Sequence, residues 1–190
     1  IGEVSNRIQA SELQDKGVLA NCHVNVLQTQ DHPQFKTYGE ELKWLTTDKT
    51  RMKWVAKTIK DIASSGNTLI LVDRISAGEI LEEQIEDAVF VSGSTKNTDR
   101  KEQYDEISTA TNKVIIATYG VAAVGINIPR IFNLVLIEPG KSFVRVIQSI
   151  GRGIRKAEDK DSVQIWDITS SCKFAKRHLG ARKKFYKEAN

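Results

Sequence analysis

Cysteine is scarce in this chain: only Cys22 and Cys172 occur, and neither has a CxxC partner. Two distant thiols make no disulfide framework, so both are expected to stay reduced. Cys22 stands beside His23, but two candidate ligands without a second pair are too few for a metal, and none is expected. No apolar run approaches the length that crosses a bilayer, and the first residues lack the basic, apolar, small-residue order of a secretion signal. A membrane is therefore excluded as a partner, and a soluble, cytoplasmic protein is expected. Internal repeats and low-complexity segments are absent, and the three histidines have no triad neighbour that the sequence identifies. The chain starts at Ile1 without a methionine, which suggests a piece of something longer.

What is present is enough for a core. With 190 residues and 40% hydrophobic composition, a single α/β domain is the natural expectation. The net charge of +4 is unevenly spread: residues 140–190 hold 13 Lys and Arg against 5 Asp and Glu, while the rest of the chain is mildly acidic. A basic last third on an acidic body points to a polyanion, either a nucleotide or a nucleic acid.

Along the chain, residues 1–22 read as a lead-in segment with one short capped helical turn at Ser11. His23 to Gln30 alternates as a strand, at an edge of the sheet. Leu42, Leu45, Met52, Val55, Ile59 and Ile62 fall at helical spacing, with a break near Thr46-Thr47-Asp48. From there one unit recurs: a β-branched strand, a polar loop, an amphipathic helix. The strands are 68–72, 88–91, 113–118, 134–137 and 163–168, with helices near 77–86, 97–110 and 142–150. Such alternation predicts right-handed crossovers and a mostly parallel sheet, with ligands at the carboxyl ends of the strands. Those ends are Asp73-Arg74, Ser92-Gly93-Ser94-Thr95, Thr118-Tyr119-Gly120 and Glu138-Pro139-Gly140. The tail from Lys173 to Lys187 is amphipathic. Phe174, His178, Leu179, Ala181, Phe185 and Tyr186 share its apolar side, and Lys173, Lys176, Arg177, Lys183, Lys184 and Lys187 form a basic arc, either a solvated face or a contact for nucleic-acid phosphates.

The most informative run is Gln148-Ser149-Ile150-Gly151-Arg152-Gly153-Ile154-Arg155. Two guanidinium groups three residues apart can share one helical face, and each matches phosphate oxygens in pairs. It follows Leu69-Ile70-Leu71-Val72-Asp73-Arg74, Val89-Phe90-Val91-Ser92-Gly93 with Arg100, Ile116-Ala117-Thr118, and Gly125-Ile126-Asn127-Ile128-Pro129. This order resembles the second RecA-like domain of superfamily 2 helicases, with motifs IV, V and VI in sequence. Gln-x-x-Gly-Arg-x-x-Arg is matched at every fixed position, while Asn127 replaces the acid usual in motif V. The ending Gly-Ile-Asn-Ile-Pro, the residue after Gln148 and the compact body resemble, more narrowly, the UvsW-like branched-DNA helicases of tailed phages.

The resemblance implies a RecA-like, P-loop NTPase-type three-layer sandwich that lacks the Walker A loop. Indeed Gly120 to Gly125 is followed by Ile126 and Asn127 where Lys and Ser/Thr are required, and no Asp-Glu pair follows an apolar strand. The chain is then half an ATPase. ATP and Mg2+ would be held mainly by an N-terminal RecA-like domain of the same protein, and residues 1–22 would be the linker from it. Residues 23–170 would be the helicase C-terminal domain and 171–190 a basic helix. Arg152 and Arg155 would act as arginine fingers, a device contributing on the order of 10³ to 10⁵ in rate, with Gln148 orienting them or the attacking water. Gly125, Asn127 and Gly151 would lie at the nucleotide. Arg74, Ser92, Gly93, Thr95 and Thr118, with Lys176 and Lys183 of the tail, would follow the nucleic-acid backbone. The implied partner is DNA, branched or at a single-strand/duplex junction, in recombination or repair, within the host cytoplasm if a phage encodes the chain. Two other readings remain: a non-catalytic nucleic-acid-binding module, and an RNA helicase or restriction-type translocase on the same fold. At individual positions, Asp73 could cap the next helix, Arg74 could pair with Glu79 or Glu82, and Ser92, Thr95 and Thr118 could be ordinary strand-end or cap residues. The acidic run Glu82, Glu83, Glu86, Asp87 reads as a solvated face. Trp44 could stack on bases, whereas Trp54 and Trp166 are expected in the core.

Overall fold

The computed structural model describes residues 2–9, 22–93, 102, 112–123, 131–140 and 163–188. Their strands form one sheet. In chain order the elements are β1 (Gly2–Gln9), β2 (Cys22–Thr29), α1 (Tyr38–Thr47), α2 (Lys49–Ala63), β3 (Thr68–Val72), α3 (Ile75–Gln84), β4 (Val89–Val91), β5 (Val114–Thr118), α4 (Tyr119–Ala123), β6 (Asn133–Ile137), β7 (Val163–Ser170) and α5 (Lys173–Glu188). The sheet order is β1-β2-β7-β6-β3-β5-β4. All neighbours are parallel except β1, which runs antiparallel to β2.

Parallel strands covered on both faces should be apolar throughout, and β3 and β6 are buried at every position. Alternate side chains supply the two layers. Leu69 and Leu71 join Val24, Val26, Leu134, Leu136 and Ile165 against Leu179 and Tyr186 of α5. Ile70 and Val72 join Ile116, Val135 and Ile137 against Met52, Val55 and Ile59 of α2 and Leu81 of α3. The result is the three-layer sandwich that the resemblance implies, built on the mostly parallel sheet that the alternation of strands and helices predicts. Trp54 and Trp166 pack on the second of these layers, as expected from sequence.

The break near Thr46-Thr47-Asp48 is a shared cap. The Asp48 backbone N–H closes α1 on the Trp44 carbonyl at 2.9 Å. Its carboxylate then accepts from Arg51 N at 3.0 Å, opening α2 in the role of an N-cap. Close helix-on-strand packing explains Gly78: a Cβ there would lie 2.4 Å from the Phe90 ring of β4.

Two expectations are corrected. β2 is no edge strand, because β1 and β7 flank it; β1 lies in the segment in which no strand was expected, where polar residues hide the alternation. On α5, Ala181 is exposed and the buried side instead includes Arg182, 2% exposed. The capped turn at Ser11 and the helices near 97–110 and 142–150 lie outside the described residues.

Candidate functional site

The carboxyl ends of β3, β5 and β4 lie side by side, with Val72 opposite Thr118 and Val91 opposite Ala117. This brings Arg74, Ser92, Gly93 and Thr118 to one rim of the sheet. Arg74 is 36% exposed and ion-pairs with Asp73 at 3.3 Å, not with Glu79 or Glu82. A second donor, Nη2, reaches the Gly39 carbonyl at 3.3 Å. Asp73 does not cap α3, whose N-cap is Arg74 with no side-chain hydrogen bond. The Asp73 carboxyl is held above its ordinary range by burial, which outweighs the opposing pull of Arg74. Ser92 is buried and Gly93 exposed. The Thr118 hydroxyl accepts from Val121 N at 3.2 Å, so it serves as a cap where β5 turns into α4. Glu82, Glu83, Glu86 and Asp87 are all exposed, in keeping with a solvated face.

Beside this rim, β6 ends in a turn that is pinned from two directions. Glu138 adopts φ 46°, left-handed backbone that a non-glycine residue enters at a cost of about 1–3 kcal/mol. Arg51 on α2 reaches it with Nη2 3.0 Å from Oε1, and Thr169 donates its hydroxyl to Oε2 at 2.9 Å. Arg51 also donates to the Leu45 carbonyl at 2.6 Å and the Thr169 carbonyl at 3.2 Å, and lies 3.5 Å from Asp31. Burial nevertheless pushes the Glu138 carboxyl up to about 7, with Arg51 acting against it. Two residues on, Gly140 sits at φ 67°, a left-handed conformation that favours glycine, and its carbonyl accepts from Arg182 Nη1 at 3.1 Å.

Arg182 is itself fixed. It grips Asp167 of β7 with two hydrogen bonds, of 2.7 and 2.9 Å, and Tyr186 donates to the same carboxylate at 2.7 Å. The Tyr186 hydroxyl is held well above its ordinary pKa by burial and then by the Asp167 charge, so it remains a donor. At the start of the same helix, buried Glu41 accepts from Phe174 N at 2.9 Å and Ala175 N at 2.8 Å. A carboxylate there satisfies two orphan donors and complements the helix dipole. The tail helix is thereby tied to α1, to β7 and to the Glu138-Pro139-Gly140 turn. Outward it presents Lys173, Lys176, Arg177 and Lys184 as exposed residues, whereas Lys183 is half-buried.

Sequence reasoning missed Arg51, Glu138, Asp167 and Arg182 as a group. One signal was available: at helical spacing Arg182 lies four residues from both His178 and Tyr186, on the apolar stripe. Gln148, Gly151, Arg152, Arg155, Gly125, Asn127 and Thr95 lie outside the described residues, as does Arg100.

Residues 50–157 match the family model described as the helicase conserved C-terminal domain. Over 195 aligned residues the chain is 27% identical to the ATP-dependent DNA helicase uvsW of Enterobacteria phage T4, an alignment covering 97% of this chain and 39% of that protein. The crystal structure of T4 UvsW superposes with a TM-score of 0.77 at 24% identity, covering 92% of this chain and 40% of that one. Dbp5 of S. cerevisiae, solved bound to RNA and ADP BeF3, gives a TM-score of 0.59 at 16% identity, covering 90% and 40%. At these identities the structural likenesses establish a shared fold. The chain spans about two fifths of the length of the T4 relative.

Proposed function

Since the chain belongs to the family of helicase conserved C-terminal domains, we propose that it is the second motor domain of an ATP-dependent superfamily 2 DNA helicase or translocase. The observation that carries this reading is the span of the family match. Residues 50–157 take in Arg74, the Ser92-Gly93 strand end, Thr118, the Gly125 to Pro129 segment and the whole Gln148 to Arg155 run. The side-by-side placement of the β3, β5 and β4 ends supports it, because hydroxyls and backbone amides at strand ends suit contacts to phosphates without reading bases.

In this reading Arg152 and Arg155 stabilise charge on the transferred phosphoryl group of ATP, and Gln148 orients them or the water. Gly125, Asn127 and Gly151 lie along the nucleotide. Arg74, Ser92, Gly93, Thr95 and Thr118 follow the DNA backbone, and Lys176 and Lys183 extend that track onto the tail helix. The described residues do not fit a magnesium ion: no three His, Cys, Asp or Glu side chains cluster among them. Glu138 and Asp167 are each committed to an arginine. In this reading magnesium and the bulk of the ATP contacts belong to an N-terminal RecA-like domain of the same protein. Branched DNA in recombination or repair is the proposed substrate, in the cytoplasm, which is that of the host if a phage encodes the chain.

The experiment is DNA-stimulated ATP hydrolysis by the longer protein and its Arg152→Ala and Arg155→Ala variants. A loss on the order of 10³ or more is expected for each; unchanged hydrolysis would mean that these arginines are no fingers. Parallel unwinding assays on forked DNA, duplex RNA and a Holliday junction identify the substrate, with preference for duplex RNA overturning the DNA assignment.

A further inference from the structure

A cavity of about 490 Å³ opens where β3, β5 and β6 end, and the motor reading makes no use of it. Tyr38, Asp73, Tyr119, Glu138, His178 and the Pro139-Gly140 turn line it. Tyr38 is 37% exposed and Ile75 is 52% exposed, and these are the exposed large hydrophobic residues among those described. They flank the same strand end: Ile75 follows Asp73-Arg74 directly, and Arg74 donates to the backbone carbonyl of Gly39, the residue after Tyr38. A part-exposed aromatic ring in the wall of a cavity is a stacking platform that any base can use. Tyr38 is also braced, with the His178 ring edge-on at a centroid distance of 4.7 Å.

The cavity wall also holds an acceptor without a donor. Asp73 Oδ2 takes the Arg74 ion pair, while Oδ1 is shut off from solvent and has no hydrogen-bond partner among the described residues. Buried acceptors are rarely left unpaired, and Asp73 is one of the residues that line the cavity. A phosphate is the wrong occupant, because two of the lining residues, Asp73 and Glu138, are acidic. A planar ring with an exocyclic amino group is the right one. Arg74 supplies the remaining element: two of its five N–H groups are used among the described residues, and the side chain is exposed enough to hold a phosphate alongside.

The geometry points to a site for one unstacked nucleobase, its ring on Tyr38, its amino edge toward Asp73 and its phosphate on Arg74. This rests on the nucleic-acid reading above and adds a base contact to a track otherwise made of backbone contacts. Adenine, cytosine and guanine carry exocyclic amino donors and thymine does not, so a thymine at this position binds least well. The same base chemistry arrives either on a strand or on a free nucleotide.

The test uses the full chain and thymine strands carrying a single 2-aminopurine, the same strand abasic at that position, and 2-aminopurine riboside triphosphate as a separate arm. Stacking on the tyrosine quenches 2-aminopurine fluorescence. For the strand we expect quenching with the wild type and with Tyr38→Phe. Tyr38→Ala loses the quenching and binds about tenfold more weakly, with the salt dependence unchanged. The abasic strand loses affinity for the wild type to the same extent, and Asp73→Asn narrows the preference for 2-aminopurine over thymine. Quenching of the triphosphate instead of the strand gives the same cavity to the base of the nucleotide. Salt-dependent binding of every strand, with no quenching and no effect of Tyr38→Ala, overturns the site and leaves the motor reading intact. Failure of all strands and nucleotides to bind overturns both.

Discussion

Arg51 on α2 and Glu138 at the end of β6 are 87 positions apart in sequence and meet with 3.0 Å between Nη2 and Oε1, both almost wholly screened from water. The pair holds a left-handed, non-glycine residue at the head of the turn that leads toward Gln148 to Arg155. Its geometry thus joins the helix layer on one face of the sheet to the Glu138-Pro139-Gly140 turn.

Removing Arg51 leaves the buried Glu138 carboxylate with the Thr169 hydroxyl as its hydrogen-bond partner among the described residues. Arg51→Ala is expected to destabilise the fold by about 3–5 kcal/mol, the usual consequence of orphaning one member of a buried pair. Arg51→Met combined with Glu138→Gln should cost less than Arg51→Ala alone, since the Glu138 charge is then not stranded. Urea unfolding of the three variants decides this, and equal losses would mean that the pair is not coupled.

The same site gives a pH signature. Glu138 has its folded pKa raised from 4.5 to about 7, so between these values the folded state binds a proton that the unfolded state has released. Stability contributed by this group is therefore full below about 4.5, declines as pH rises and is lost above about 7. The decline is at most about 3 kcal/mol. Denaturant midpoints measured at pH 5 and pH 8 should fall further for the wild type than for Glu138→Gln. A variant that keeps the whole slope would place its origin elsewhere.

Gly78 offers a packing test that is independent of charge. Its missing Cβ makes room for the Phe90 ring, which would otherwise stand 2.4 Å away. Gly78→Ala should cost about 1–3 kcal/mol through overpacking, even though alanine favours helices. Adding Phe90→Leu should recover part of that loss, as read by thermal unfolding. Simple additivity of the two substitutions would exclude the steric account.

How much of this was legible beforehand depended on whether the signal was local. The strands at 68–72 and 134–137 are short β-branched and leucine runs bounded by polar residues, and burial on both faces is what such runs record. The helix break at Asp48 could be read because a cap is a matter of one side chain and the next three residues. By contrast, Arg51 and Glu138 look like ordinary polar positions until the sheet order brings α2 over β6. Asp167 is one acid inside a β-branched strand, and its two partners come from a helix that the charge pattern presents as a basic arc. β1 went unread for a related reason: an outer antiparallel strand carrying Glu3, Asn6 and Arg7 owes its place to backbone pairing with β2, which leaves little trace in hydrophobic spacing.

The basic arc of α5 makes the last prediction. Lys176 is exposed near the start of the helix, and Lys183, seven residues further on, is half-buried. If both neutralise phosphates, each Lys→Gln substitution lowers the slope of log K against log salt by about 0.7 for a single strand and about 0.9 for duplex DNA. Loss of affinity should be uniform across sequences, since an ammonium reads no base. Titrations by fluorescence anisotropy from low to moderate salt measure both quantities for Lys176→Gln, Lys183→Gln and the double variant. The helix is anchored by Arg182, Tyr186 and the Glu41 cap, none of which these substitutions touch, so stability should hold while the slope changes. An unchanged slope in the double variant would return the arc to the role of a solvated face. A slope that responds to Lys176 alone would confine the phosphate track to the first turns of the helix.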